Sequence, residues 1–230
     1  MLIKFFSDLG TFGKVEQVVL VGTAGGIPAL KSKHHHLKLG DVIATSGEPN
    51  QPAYVYVNDV TTGREGLPLP ELHTQTWTPS GKVIRDALLK LEKSSKNAAK
   101  FEEQRKSSEK FVRDHLEDAI PEAAPQMFDT PHLHFGAIGA GKMLTKSDDV
   151  KREIRAKFNV LGLDCGFQAV LESLEGNRKE EFALIRVACD WSDGLGTRSE
   201  QRVAVVRAAA ITRLLVSQLP RVQSESDEDD

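Results

Sequence analysis

The sequence predicts an α/β fold, and three observations carry that prediction. Val18-Val19-Leu20-Val21 and Phe182-Ala183-Leu184-Ile185-Arg186-Val187-Ala188 are short apolar runs without alternation, as expected of strands covered on both faces. Between them, strand-like and helix-like segments take turns along the chain. Both runs also end in chemistry: the first in Gly22-Thr23-Ala24-Gly25-Gly26, the second in Cys189-Asp190-Trp191-Ser192-Asp193-Gly194. In open α/β sheets, ligands bind outside the carboxyl ends of the strands, so a small-molecule site is expected where these two segments meet.

Taken in order, strands are expected at about 16–22, 40–46, 53–58, 132–138, 159–164 and 182–189. Helices are expected at about 79–93, 97–117, 147–158, 166–175 and 199–219. Thr78 before Pro79 reads as an N-cap with proline in the first helical position. Ser147 before Asp148 and Asp149 reads as a cap with an acidic first turn. The last helix has the clearest stripe, Val203, Val206, Ala210 and Leu214, and Pro220 ends it. The Lys-, Glu- and Ser-rich stretch near 90–118 reads as a helical insertion within a single domain, 1–220. Residues 221–230 form an acidic tail expected to be disordered.

Composition narrows the function. The chain has 230 residues, enough for one α/β domain with a full core, and a net charge of -3 leaves no basic footprint for nucleic acid. No apolar stretch approaches the roughly 18 residues of a membrane span, and the N-terminus lacks a secretory pattern. Two cysteines, Cys165 and Cys189, both beside expected buried strands, read as core thiols of a cytoplasmic protein. His34-His35-His36 reads as a solvated loop, because adjacent residues seldom converge on one metal ion, so no metal is assigned.

The chemistry-bearing residues are read next. Gly22, Gly25 and Gly26 let backbone approach a ligand closely, and Thr23 adds a hydroxyl; a ligand-free tight turn is the plain alternative. Asp190 follows an apolar strand and adjoins Trp191, a partly desolvated setting that suits a general acid; a strand-end cap is its alternative. Asp193 before Gly194 reads as a turn or cap. Two more strands, His132 to Lys142 and Val160 to Gln168, end in glycines or an acid and can line the same crevice.

Together these segments resemble the nucleoside phosphorylase and nucleosidase superfamily, which includes purine nucleoside phosphorylases and methylthioadenosine/S-adenosylhomocysteine nucleosidases. Gly22-Thr23-Ala24-Gly25-Gly26 matches the family's glycine turn, and Leu39-Gly40-Asp41-Val42-Ile43-Ala44 matches its following strand. Gly136-Ala137-Ile138-Gly139-Ala140-Gly141 and Ile185-Arg186-Val187-Ala188-Cys189-Asp190-Trp191-Ser192-Asp193 match its two later motifs. The resemblance implies a three-layer phosphorylase/hydrolase-like fold, with a central mixed sheet flanked by helices. It further implies cleavage of the N-glycosidic bond of a purine nucleoside or nucleotide, with Asp190 protonating the base. The implied substrate-binding residues are Thr23, Ala24, Gly25, Gly26, Ile138, Asp164, Cys165, Arg186 and Cys189. Phosphate or water is the implied co-substrate; no cofactor is implied, and a homo-oligomer is. Phosphorylases carry an arginine two residues before the turn, where this chain has Leu20, so water is the expected nucleophile.

Three departures shape the expectation. Gly166 stands where the family has a ribose-gripping glutamate, leaving Asp164 as the acid of that stretch. Cys189 replaces the usual serine. The chain begins only about fifteen residues before the glycine turn, so the usual first strands are expected to be missing. A 5′-phosphate would call for Arg186, Lys142 or Arg198, while Arg186 is equally suited to a core salt bridge with Asp164 or Asp190. The alternative to an enzyme is a catalytically inactive nucleoside-binding or interaction module of the same fold.

Overall fold

The computed structural model describes residues 17–28, 37–45, 51–61, 71–78, 82–93, 127, 129, 131–141, 148–164, 181–193, 196 and 198–220, with scattered positions between 99 and 115 that are all helical. Eight strands form one mixed sheet: β1 (Gln17–Gly26), β2 (Val42–Ala44), β3 (Tyr54–Thr61), β4 (Glu71–Trp77), β5 (Leu133–Phe135), β6 (Ala137–Gly141), β7 (Val160–Leu163) and β8 (Glu181–Asp190), in the order β4-β3-β6-β7-β1-β8-β2-β5. Among the described residues, besides the helical positions between 99 and 115, three helices have defined bounds: α1 (Val83–Lys93), α2 (Asp148–Phe158) and α3 (Arg198–Val216).

The two apolar runs that predict the fold pair with each other. β1 and β8 are parallel, in register from Gln17 opposite Glu181 to Ala24 opposite Ala188. Each of these strands is covered on both faces, as its unbroken apolar pattern requires. On one side, Ala183, Ile185 and Val187 of β8 pack with Ile84, Leu88 and Leu91 of α1 and with Val203, Ile211 and Leu215 of α3. On the other, Leu184 and Ala188 meet Ile43, Tyr54, Trp77, Ile138 and Leu161, all contributed by other strands. That second cluster contains no helix residue among the described ones. α2 covers the far half through Ile154, which packs with Val55, Ala137 and Val160.

Several expected boundaries shift. The glycine segment 22–26 is not a turn: β1 continues through it to Gly26, paired with β8 as far as Gly25 and with β7 at Gly25 and Gly26. The single strand expected at 132–138 is two, β5 pairing with β2 and β6 with β3 and β7. The strand β4 was not anticipated; its Thr74, Thr76 and Trp77 suit a strand that pairs only with β3 at the sheet edge. α1 begins at Val83, not at Pro79. The helix expected at 166–175, the His34-His35-His36 loop, Lys142, Cys165 and the acidic tail lie outside the described residues. No described helix is long and apolar enough to cross a membrane.

A buried carboxylate organises the edge nearest β8. Asp41, 2% exposed, accepts the backbone N–H of Lys38 and of His132, each at 2.9 Å, and meets His134 Nε2 at 2.8 Å. The histidine supplies the proton of that bond, since an ionised carboxylate only accepts. The same turn joins β8, with Gly40 N–H donating to Ala188 O and Ala188 N–H to Asp41 O. Gly40 has a φ of 89°, and the Arg207 guanidinium of α3 occupies the space a side chain would need while donating to Gly40 O at 2.9 Å. Burial alone would push the Asp41 carboxyl up, but the His134 hydrogen bond, the two backbone donors and the His134 charge outweigh it and hold it below its ordinary value.

Because the folded value is depressed, this contribution is full above the ordinary aspartate pKa of about 4 and is lost as pH falls through the lower folded value. We therefore expect Asp41→Asn to cost about 1.5–3 kcal/mol at neutral pH in urea unfolding. The loss of stability of the wild type below pH 4 should be correspondingly shallower in the variant.

Candidate functional site

The parallel register of β1 and β8 slips by one residue at its carboxyl end. Ala24 faces Ala188, but Gly25 faces Asp190, so Cys189 is the extra residue of a bulge. This slip brings the acid of one motif against the glycines of the other. A Cβ at Gly25 would stand 2.5 Å from Asp190 Oδ1 and 2.9 Å from Ser192 N, so no side chain fits there. Gly26 is similarly pressed by Leu37 and, at 3.3 Å, by the Trp191 ring. The glycines thus serve the close approach that the sequence suggests, within a strand instead of a loop.

Asp190 is held by its neighbours. Ser192 N–H donates to Oδ1 at 2.7 Å, and Ser192 takes the left-handed conformation, φ 54°, that this bond needs. Its own hydroxyl is buried without a hydrogen-bond partner among the described residues. Oδ2 lies 3.5 Å from the Cys189 thiol, which is also 3.5 Å from Ala24 O. Burial, reinforced by the adjacent Asp190 charge, pushes the Cys189 thiol up to about 12. It is therefore a protonated, weak donor at neutral pH, not a nucleophile.

The other expected site residues divide. Thr23 places its hydroxyl on the Cys189 sulfur, next to the acid motif. Ala24, Gly25 and Gly26 line the Asp190 side of β1. Ile138 is fully buried in the inner core and donates its N–H to Ala53 O. Arg186, offered for a substrate phosphate or a salt bridge, makes the salt bridge, and its partner is Asp164: Nε donates to Oδ2 at 2.7 Å. Its Nη1 donates to Leu20 O at 2.6 Å and to Ile185 O at 2.9 Å, and the side chain is 0% exposed. Burial pulls the Arg186 pKa down, opposed by the Asp164 charge and hydrogen bond, yet a guanidinium stays charged there. Arg198 is exposed at the start of α3. Among the described residues, no group of three His, Cys, Asp or Glu side chains can hold a metal ion.

Sequence reasoning missed two parts of this site. The Lys38–Asp41 turn, bonded to Ala188, was read only as the start of a strand. The return of the chain onto Asp190 at Gly196 has no sequence signal beyond the glycine itself.

No family model matches this chain, and no curated protein matches it by sequence. Solved structures do match. A protein from Borrelia burgdorferi B31 assigned as a 5′-methylthioadenosine/S-adenosylhomocysteine nucleosidase, bound to adenine, superposes with a TM-score of 0.55 at 15% identity, over 94% of this chain and 76% of that one. The chain has the nucleosidase fold. The corresponding nucleosidase from Neisseria meningitidis, in complex with methylthio-immucillin-A, gives 0.52 at 18% identity over 95% and 74%. Futalosine hydrolase of Helicobacter pylori strain 26695 gives 0.51 at 15% over 95% and 74%. These neighbours belong to the nucleoside phosphorylase and nucleosidase superfamily.

The buried pair between Arg186 and Asp164 sets a stability expectation. Arg186→Leu leaves Asp164 without its guanidinium and should cost about 3–5 kcal/mol in urea unfolding. In the double variant with Asp164→Leu, a large part of that loss should be recovered, because the stranded charge is removed as well.

Proposed function

We propose that this chain hydrolyses the N-glycosidic bond of a purine nucleoside, with Asp190 as the general acid. The observation that carries the reading is the placement of Asp190 at the carboxyl end of β8, tied at Oδ1 by Ser192 N–H and set against a glycine-lined strand end. The fold shared with nucleosidase structures supports it, as does the adenine in one of them. A carboxylic acid whose one oxygen is occupied presents the other to the substrate.

In the proposed step, the Oδ2–H bond breaks as a proton passes to purine N7, and the glycosidic electron pair leaves with the base. Water oxygen forms the new bond at the anomeric carbon, and the proton that water loses restores the acid through solvent. Protonating the leaving group in this way is general acid catalysis, with contributions of about 10²–10⁴-fold. Thr23 to Gly26 border the place where the sugar and water meet. With Arg186 bound to Asp164, a substrate phosphate would draw on Arg198 or Lys142 instead. A non-catalytic nucleoside-binding module is the second reading, favoured by Thr23, whose hydroxyl is turned to the Cys189 sulfur rather than kept for water.

The test is incubation of the full chain with adenosine, inosine, methylthioadenosine, adenosylhomocysteine, AMP and ATP, with and without phosphate, followed by chromatography of free base. Base release independent of phosphate, lowered at least a hundredfold by Asp190→Asn, is the expected result. A folded protein that binds one of these compounds without releasing base would support the module instead.

A further inference from the structure

Gly196 makes a contact that neither the glycine strand nor the acid motif foretells. It lies between the acid motif and α3, with its backbone against the Asp190 side chain. A methyl group at Gly196 would overlap Asp190 Cβ and stand 2.8 Å from Oδ2 and 2.9 Å from Cγ. A methyl group at Gly25 would in turn stand 2.5 Å from the other oxygen, Oδ1, and would overlap the Ser192 hydroxyl. The φ of Gly196 is outside the left-handed region, so an alanine is permitted by the backbone and refused only by the space. Gly196 is moreover exposed, so no packed core demands a small residue on its far side.

The geometry points to Gly196 as a positioning residue for Asp190: with Gly25 it forms a slot, two side-chain-free backbones wide, that fixes the carboxyl so that Oδ2 carries the exchangeable proton. Oδ1 is turned to Gly25 and taken by Ser192 N–H at 2.7 Å. Oδ2 is turned to Gly196, and among the described residues its donor is the weak Cys189 thiol at 3.5 Å. Ser192 and Gly196 therefore hold the acid from both sides, and a side chain at 196 swings the carboxyl away from the base it protonates. This inference rests on the proposed function of Asp190.

The test measures affinities of the full chain for adenine and for 7-deazaadenine, which lacks the ring nitrogen that the acid addresses, by calorimetry. The variants are Gly196→Ala, Asp190→Ala, both together, and Asp193→Ala as a control on the exposed turn. Wild type and control should prefer adenine at least tenfold. Gly196→Ala and Asp190→Ala should each lose that preference, and the double variant should lose no more than either alone. A Gly196→Ala protein that keeps the wild-type preference overturns the positioning role, as does a loss that adds to that of Asp190→Ala. A wild type indifferent to the two bases overturns the nucleosidase reading itself. Melting temperatures provide a readout free of ligand: Gly196→Ala should lower Tm in the wild type and leave it unchanged in an Asp190→Gly background. An equal fall in both backgrounds shows that the methyl group meets something other than Asp190 and overturns the inference.

Discussion

Everything in this molecule that bears on function hangs on the parallel pairing of β1 with β8. Its ladder runs from Gln17 opposite Glu181 to the slipped pair Gly25 and Asp190. A ladder without the slip would set Gly25 against Cys189 and change which side chain of β8 meets the glycines. The bulge costs a local hydrogen bond and gains the encounter of a carboxyl with a backbone free of side chains. Gly25 is therefore defined by its partner strand more than by its own loop-forming tendency.

Two polar nodes fix the strands on either side of that pairing. Asp41 fastens β2 and the start of β5 to β8, with Arg207 reaching from α3 to the same turn. Arg186 fastens β8 to the end of β7 through Asp164 and to β1 through Leu20 O. Each node is a buried charge with several partners, and each lies within a few residues of Asp190. A charge so placed discriminates strongly against misregistered strands, because any slip strands it in an apolar interior. The site is thus braced by interactions that would contribute little at the surface, where exposed pairs are worth about 0–1 kcal/mol.

Much of this was legible in the sequence. Unbroken aliphatic runs announce β1, β7 and β8, and the stripe through Val203 and Leu214 announces α3, because burial leaves a periodic trace in the residue types. The ends of elements were less legible. A run of glycines has no side chains to betray a strand, so Gly22 to Gly26 read as a turn although its hydrogen bonds are those of β1. β4 exposes His73 and Thr76 and pairs on one edge only, which leaves its pattern nearly as polar as a loop. The break between β5 and β6 falls at Gly136, where Leu161 leaves no room for a side chain. Arg186 could be narrowed to two acids but not assigned, since Asp164 and Asp190 are both strand-end acids and only the fold decides which is within reach. Gly196 was silent because its meaning is a distance to a residue elsewhere in the chain.

The β1–β8 ladder also has a bearing on how the chain comes to be folded. Its two strands are at opposite ends of the described sequence, and β2 to β7 are all synthesised between them. At a translation rate of about 5–20 residues per second, roughly ten to thirty seconds pass between the emergence of β1 and that of its principal partner. During that interval the aliphatic Val18 to Val21 segment waits with one whole edge of its backbone unpaired. Such high contact order slows the final closure of the sheet and leaves a sticky intermediate. β1 is thus exposed to wrong pairings until β8 arrives.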